Sequence, residues 1–416
     1  MKSLKLVFCF LLLFFSVANG ADTFRLIDPD DPGDRYGKTA TAGAPYLYFG
    51  LKSQYYQLVH SDYSNYISDV DAAFGSWNSV APVNFYRSST SGVSLLGAKA
   101  SLSDGPGWSY PGFNSSTYQI DTGSSTLTLN TNYAWNNLYQ DLDAYVLDVQ
   151  SIVTHEVGHI HGIAHPATSS YTHDSTAPTM AGGDNDYFDN SLDVRSLETP
   201  DKHAAIFLQL RVPALYSKIS SALTAAGPIG KGYISVASGT YTESTDLTVP
   251  TGVTLDMTAG GTLQMADDKQ IIVNGTFNAR NATLTASAND WDGIRFNSGS
   301  GGEIYNCNLY KCGYPWYIYI YNASPNIEAN TLDQWAGAYH GIYVNGSSAN
   351  PDIYRNDITI NYTGVRFQGG SRGLYSYNNV YVTNNYDPVL YAAGDAWVDA
   401  DADGGNTFRK GRYGIY

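Results

Sequence analysis

Four short stretches decide the fold of the second half: Gly293-Ile294-Arg295-Phe296, Tyr317-Ile318-Tyr319-Ile320, Gly341-Ile342-Tyr343-Val344 and Gly364-Val365-Arg366-Phe367. Their second positions, Ile294, Ile318, Ile342 and Val365, stand 24, 24 and 23 residues apart. A second apolar track, Leu309, Leu332, Ile358 and Val380, has spacings of 23, 26 and 22. A period near two dozen residues marks a solenoid, in which every turn buries its apolar side chains against the next. Two residues ahead of the second track sit Cys307, Asn330, Asn356 and Asn378. A polar side chain that recurs once per turn can bond to its copy above and below, so these asparagines are candidates for a ladder along the stack.

Working outward, the same character extends over most of the chain after residue 212. Short β-branched and aromatic runs alternate with Gly, Asn, Asp and Ser, and no helical period follows the Gly227-Pro228 break. Leucine-rich repeats share the period but need several leucines per repeat, which these turns lack. Gly-, Asn- and Tyr-rich turns with inward Ile and Val resemble the right-handed parallel β-helix of the pectate-lyase type. The amphipathic segment Ala214–Ala226, then Ile234-Ser235-Val236 and Gly239–Glu243, is similar to that family's capping helix and first coil. The resemblance implies an all-β domain over residues 213–416 with an N-terminal capping helix.

Residues 45–212 read differently, as a mixed α+β domain. Strands are expected at Leu47–Leu51, Val83–Tyr86, Val93–Ala98 and Thr126–Asn130. Helices are expected over Tyr66–Trp77, over about Ala144–His161, and over Pro200–Leu210 with Thr199 as N-cap. Residues 1–20 read as a secretory signal: Lys2 and Lys5, an apolar run from Leu6 to Val17, and a small-x-small site at Ala18-Asn19-Gly20. That run is too short to span a bilayer, and no later stretch is long enough. An N-terminal segment, 21–44, would follow, and the expected location is extracellular.

Composition narrows the partners. The 416 residues carry a net charge of −15, and only 15% are charged. Removing the signal leaves 38 acidic against 21 basic residues, so the exported chain would carry −17. No Lys/Arg cluster offers the phosphate-binding surface that nucleic acid needs. The exported chain would keep only Cys307 and Cys312, too few for a disulfide scaffold, though close enough to pair or to remain buried thiols.

The chemistry is written in His155-Glu156-Val157-Gly158-His159-Ile160-His161-Gly162-Ile163-Ala164-His165. On a helix His155 and His159 lie one turn apart, so both imidazoles project from one face and can share a metal ion. Gly162 allows a sharp exit that brings His165 round as a third ligand. Three neutral nitrogens plus a water make an open zinc site, and Glu156 stands where it can take a proton from that water. His161 points to another side of the helix, as support or as an exposed residue rather than a ligand.

This elongated motif resembles that of the metzincin zinc peptidases. Ala177-Pro178-Thr179-Met180 is similar to their Met-turn, with Met180 packing beneath the metal. Upstream, Ala72–Trp77 with Val83–Phe85, then Asp104–Gly107 with Trp108–Phe113, resemble the first helix, a strand and the cleft-lining edge strand of the matrixin branch. The chain departs from matrixins at Pro166, in having no histidine between His60 and His155, and in lacking a cysteine in 21–44. The resemblance implies a secreted zinc endopeptidase acting on protein or peptide, with His155, His159 and His165 on Zn2+, Glu156 as general base, and the β-helix as accessory domain for a polysaccharide or cell-surface ligand. The alternative is a carbohydrate-binding or carbohydrate-active β-helix protein, adhesin- or polysaccharide lyase-like, with a subsidiary peptidase domain. Tyr187 is a candidate for the substrate oxyanion. Asp399-x-Asp401-x-Asp403-Gly404 has the opening of a calcium loop, with Lys410 where a bidentate Glu belongs, so Ca2+ competes there with a solvated acidic turn.

Overall fold

The computed structural model describes residues 24–32, 37–40, 46–80, 82–98, 105–136, 146–166, 179–180, 195–313, 315–333, 340–384, 387–393, 395–399 and 405–409. The signal, Ala177, Pro178, Tyr187, Asp401, Asp403, Gly404 and Lys410 lie outside the described residues.

Arg211–Val212 and then the chain from Gly232 onward form a parallel β-solenoid with three sheets of nine, eight and seven strands. Each turn adds one rung about 4.8 Å above the last. Both apolar tracks stack in register: Ile294, Ile318, Ile342 and Val365 on one sheet, and Leu309, Leu332, Ile358 and Val380 on another. All eight side chains are buried in one continuous core.

The asparagine ladder runs along the corner between the nine-stranded and eight-stranded sheets. Main-chain N–H groups of Cys307, Asn330, Asn356 and Asn378 donate to the Oδ1 atoms of Asn330, Asn356, Asn378 and Asn406 at 2.9–3.0 Å. Each amide Nδ2 donates to a strand carbonyl, Ile304, Ile327, Ile353 or Tyr375. The residues just before the rungs, Asn306, Ala329, Arg355 and Tyr377, have φ between 51° and 57°. A left-handed residue at each corner turns the chain tightly enough to aim the next amide inward. Cys307 opens the ladder as a buried thiol, and Cys312 is likewise free and buried.

The first half is mixed α and β. A five-stranded sheet has the order β4 (Asn84–Arg87), β3 (Ser53–Leu58), β5 (Val93–Ala98), β7 (Thr126–Asn130) and β6 (Gly107–Tyr110). Its pairs are parallel except the edge pair β6–β7. Helices α1 (Ile67–Asn78) and α2 (Val149–Ile160) pack on it, with Val70, Ala73, Phe74 and Trp77 of α1 buried. Two short β1 (Arg25–Leu26) and β2 (Lys38–Thr39) strands join β10 (Ile163–Ala164) in a small sheet.

Four sequence expectations shift. Leu47–Leu51 is no strand; Tyr48 makes a single bridge to Gln119, and the ladder begins at Ser53. The helix expected from Ala144 starts at Val149, because the Asp148 carboxylate accepts the Ser151 N–H at 2.8 Å and caps it there. Val146 and Leu147 before it go instead to β9 (Val146–Asp148), paired with β8 (Ala134–Asn136). Helix α3 (Thr199–Leu208) is capped by Glu198, not Thr199, in a reciprocal box with Asp201. The capping helix α4 (Ile219–Ala226) is shorter than expected, its start held by the Glu243 carboxylate on the Ile219 and Ser220 N–H groups.

The junction at residue 212 is a shared seam. Arg211–Val212, here β11, pairs with Ser235–Val236 of the first coil, and Leu210 and Val212 belong to the solenoid core. Leu215 and Ile229, beyond the junction, belong to the other core, and Ile206 and Tyr216 touch both. Phe24, Leu26, Ile27 and Ala40 share the core of α2, so the described part of segment 21–44 packs with the 45–212 half.

Candidate metal centre

Helix α2 carries His155 and His159 on one face, as their spacing requires, and both are buried. Gly162 turns the chain with φ +86°, and a side chain there would press on Leu47. His165 therefore comes back over the helix, half-buried. Its Nε2 lies 3.0 Å from the Nε2 of His155 and 3.0 Å from the Nε2 of His159.

The hydrogen positions follow from the neighbours. His155 Nδ1 is 2.7 Å from the Thr179 carbonyl, and His159 Nδ1 is 2.8 Å from the Ile163 carbonyl. A carbonyl only accepts, so each Nδ1 carries the proton and each Nε2 turns its lone pair toward the shared point. Around a tetrahedral zinc with bonds of about 2.0–2.1 Å, neighbouring nitrogens stand roughly 3.3 Å apart. The observed spacing is within a few tenths of that. Among the described residues this is the one group of three or more His, Cys, Asp or Glu side chains that could hold a metal ion.

Glu156 is buried beside the cluster, and its Oε2 accepts a hydrogen bond from Ser109 Oγ at 2.8 Å. Ser109 lies on β6, the edge strand. The strand comes this close because Gly107 has no side chain: a Cβ there would stand 2.8 Å from Ile152 and 3.3 Å from Glu156.

Met180 is buried directly beneath α2, where a Cβ on Gly158 would fall 2.0 Å from its sulfur. Asp201, at the start of α3, holds that turn: its carboxylate accepts the N–H groups of Thr179 at 2.8 Å and Met180 at 3.2 Å. Burial pushes its carboxyl up to about 6, against three amide donors that favour the ionised form. Asp148, also buried, pairs with both Nε and Nη2 of Arg195, tying the start of α2 to the segment before α3.

Asp201, Ser109 and the Asp148–Arg195 pair are absent from the sequence reading. Glu198-x-x-Asp201 and Asp148-x-x-Ser151 were the available signals, as caps. His161 is neither a ligand nor exposed. It is buried among Trp77, Phe49 and Phe85, with ring centroids 4.8–5.4 Å away, and burial holds its pKa down at about 3, so it stays neutral.

The family model described as the right handed beta helix region matches residues 251–399. A search of the curated proteins gives no match. Among the described residues, no helix is long and apolar enough to cross a membrane. The second half of the chain thus contains a right-handed parallel β-helix, and the histidine cluster lies outside the matched region.

Proposed function

We propose that the first half is a zinc-dependent endopeptidase of the matrixin-like metzincin kind, in an exported protein whose β-helix serves as accessory binding domain. The observation that carries this reading is the convergence of three imidazole Nε2 atoms beside one buried carboxylate. His155, His159 and His165 would hold the ion, each of the first two oriented by a main-chain carbonyl. Zinc, when bound, polarises a scissile carbonyl and brings the pKa of its water to roughly 7. Glu156, steadied by Ser109, takes a proton from the attacking water and returns it to the leaving amine. Strand β6 ends its sheet, so its outer edge can pair with an extended peptide and lay the scissile bond over the histidines. The five-stranded sheet with one antiparallel edge and the buried Met180 support the resemblance.

The test is hydrolysis of a denatured protein by the chain from residue 21, with and without a chelator. Activity lost to the chelator, regained with zinc and missing in Glu156→Ala is the expected result. Activity indifferent to both would overturn the reading.

A second reading puts the principal role on the β-helix, as a carbohydrate-binding or carbohydrate-active protein. The match over 251–399 and one face of the seven-stranded sheet favour it. There Arg295, Tyr319, Tyr343, Arg366 and Tyr391 stand in register, pointing outward. Arg366 sits between the rings of Tyr343 and Tyr391 at 5.3 and 4.9 Å, and Trp316 lies 4.3 Å from Tyr343. Such a platform suits stacking on sugar rings, with the guanidinium groups left for acidic substituents. The row contains no carboxylate, which favours binding over lyase chemistry. Affinity for a polyuronate that is unchanged in Tyr343→Ala and Arg366→Gln would count against it.

A further inference from the structure

We propose that the N-terminal strands β1 and β2, with Phe24 and Ile27, are the positioning element of the metal site, so that ion binding depends on a strap more than 110 residues away in sequence. This rests on the zinc reading above.

The argument starts at β10. These two residues do double duty: the Ile163 carbonyl accepts the Nδ1–H of His159, and the chain leaving Ala164 is His165 itself. The position of β10 therefore sets two of the three nitrogens. Among the described residues, β10 pairs with one strand only, and that strand is β1. Arg25 stands opposite Ala164 and Leu26 opposite Ile163, and the Ile27 N–H donates to the Gly162 carbonyl at 2.8 Å. Without this pairing β10 would be a two-residue extension after a glycine, a shape that local sequence does not hold.

The strap is itself anchored. Phe24, Leu26 and Ile27 are buried, and Phe24 packs edge-on against Phe207 of α3 at 5.5 Å. Strand β2 lies over β1 so closely that a Cβ on Gly37, which has φ +45°, would stand 2.1 Å from the Leu26 carbonyl oxygen and 2.7 Å from the Ala164 Cβ. The Arg25 guanidinium donates to the Gly37 carbonyl and closes the fold of the strap on itself. None of these contacts involves the side chain of His155, His159 or His165, yet they converge on the backbone that leads into His165 and orients His159.

The experiment compares zinc affinity, by competition with a chromophoric chelator, in four forms of the chain from residue 21. Wild type is the reference. Ile27→Pro removes the N–H that holds Gly162. Gly37→Ala lifts β2 from β1, and it gives the same reading where Ile27→Pro does not fold. Leu127→Ala opens a cavity in the same core, on β7, a strand that pairs with neither β1 nor β10. The two strap variants should weaken zinc binding by roughly 10–100-fold, as loss of groups that orient ligands does. They should also open the Ala164 amide, which faces Arg25 in a hydrogen-bonded pair, to hydrogen exchange. Leu127→Ala should lower the melting temperature and leave zinc affinity within about twofold, because its loss is one of packing. Equal weakening in all three variants would mean mere destabilisation and overturn the proposal. Unchanged affinity in the strap variants would overturn it too, with the zinc reading intact. A wild-type chain that takes up no zinc would overturn the zinc reading, and this inference with it.

Discussion

Replacing Asn356 with Ala tests the logic of the solenoid where it is most exposed to failure. The Asn356 side chain makes four hydrogen bonds inside the core. Its Nδ2 donates to the Ile327 carbonyl at 2.8 Å and to Asn378 Oδ1 at 3.0 Å. Its Oδ1 accepts from the main-chain N–H and the Nδ2 of Asn330, both at 3.0 Å. Asn378 Oδ1 keeps its bond from the Asn356 N–H, and Asn330 Nδ2 keeps Ile304. The buried Asn330 N–H loses the side-chain acceptor that holds it. An orphaned buried group costs about 1–3 kcal/mol and each of the three other lost bonds about 0.5–1.5, so the sum is about 2.5–7.5 kcal/mol.

The loss should be local, because a solenoid turn depends on its neighbours alone. Native-state hydrogen exchange of the rungs through Ile304, Ile327 and Ile353 is therefore the assay, with urea unfolding as the global check. Asn297→Ala is the comparison: Asn297 also bonds across turns, to Asn274 at 2.8 Å, but on the half-exposed outer surface. Water replaces that bond, and the cost should stay below about 1 kcal/mol. If Asn356→Ala costs no more than Asn297→Ala, the interior ladder does not hold the turns together and the reasoning fails.

Three further outcomes are expected. His159→Ala should lose bound zinc by metal analysis, whereas Glu156→Ala should keep the ion and the fold and lose peptidase activity by several orders of magnitude. Gly158→Ala forces a methyl group to within 2.0 Å of the Met180 sulfur and 2.9 Å of Trp77, so it should cost about 1–3 kcal/mol of stability by thermal unfolding. Asp201 has its carboxyl raised from 3.8 to about 6 by burial, so the folded chain binds more protons than the unfolded one between those values. Its contribution is fully present below about pH 3.8 and is lost as pH rises through about 6; the slope of stability against pH in that window should flatten in Asp201→Asn.

What the sequence disclosed follows the range over which each feature acts. The solenoid was legible because its register repeats: Ile294, Ile318, Ile342 and Val365 show the same environment four times, and so do the Asn rungs. The three histidines and Glu156 were legible because helix geometry and one glycine connect them within eleven residues. The supports of that site were not, since Ser109, Thr179, Asp201 and Arg195 reach it across folds of the chain. Each is an ordinary polar residue until its partner is known. The start of α2 was misplaced because Val146 and Leu147 continue the apolar pattern of the helix, while the Asp148 cap decides the boundary. That His161 is no ligand was legible, but its burial was not: periodicity gives a direction around the helix, and whether an aromatic box waits there depends on Phe49, Trp77 and Phe85.

The seam between the halves bears on how they act together. Helix α3 is ten residues long, so it spans about 15 Å. At its near end Asp201 holds the Thr179–Met180 turn, whose carbonyl orients His155. At its far end the chain passes through Leu210 and Val212 into the solenoid core, and β11 becomes the first strand of the nine-stranded sheet. Phe207, on the same helix, carries Phe24 of the strap, and Lys231 of the first coil lies over that ring at 4.1 Å. No loose linker separates the two halves here: one short helix touches the Thr179–Met180 turn, the strap and the solenoid. On the proposed reading, a partner held on the β-helix would be held by a body joined firmly to the histidine cluster, which would suit a large or surface-bound substrate better than a tethered module.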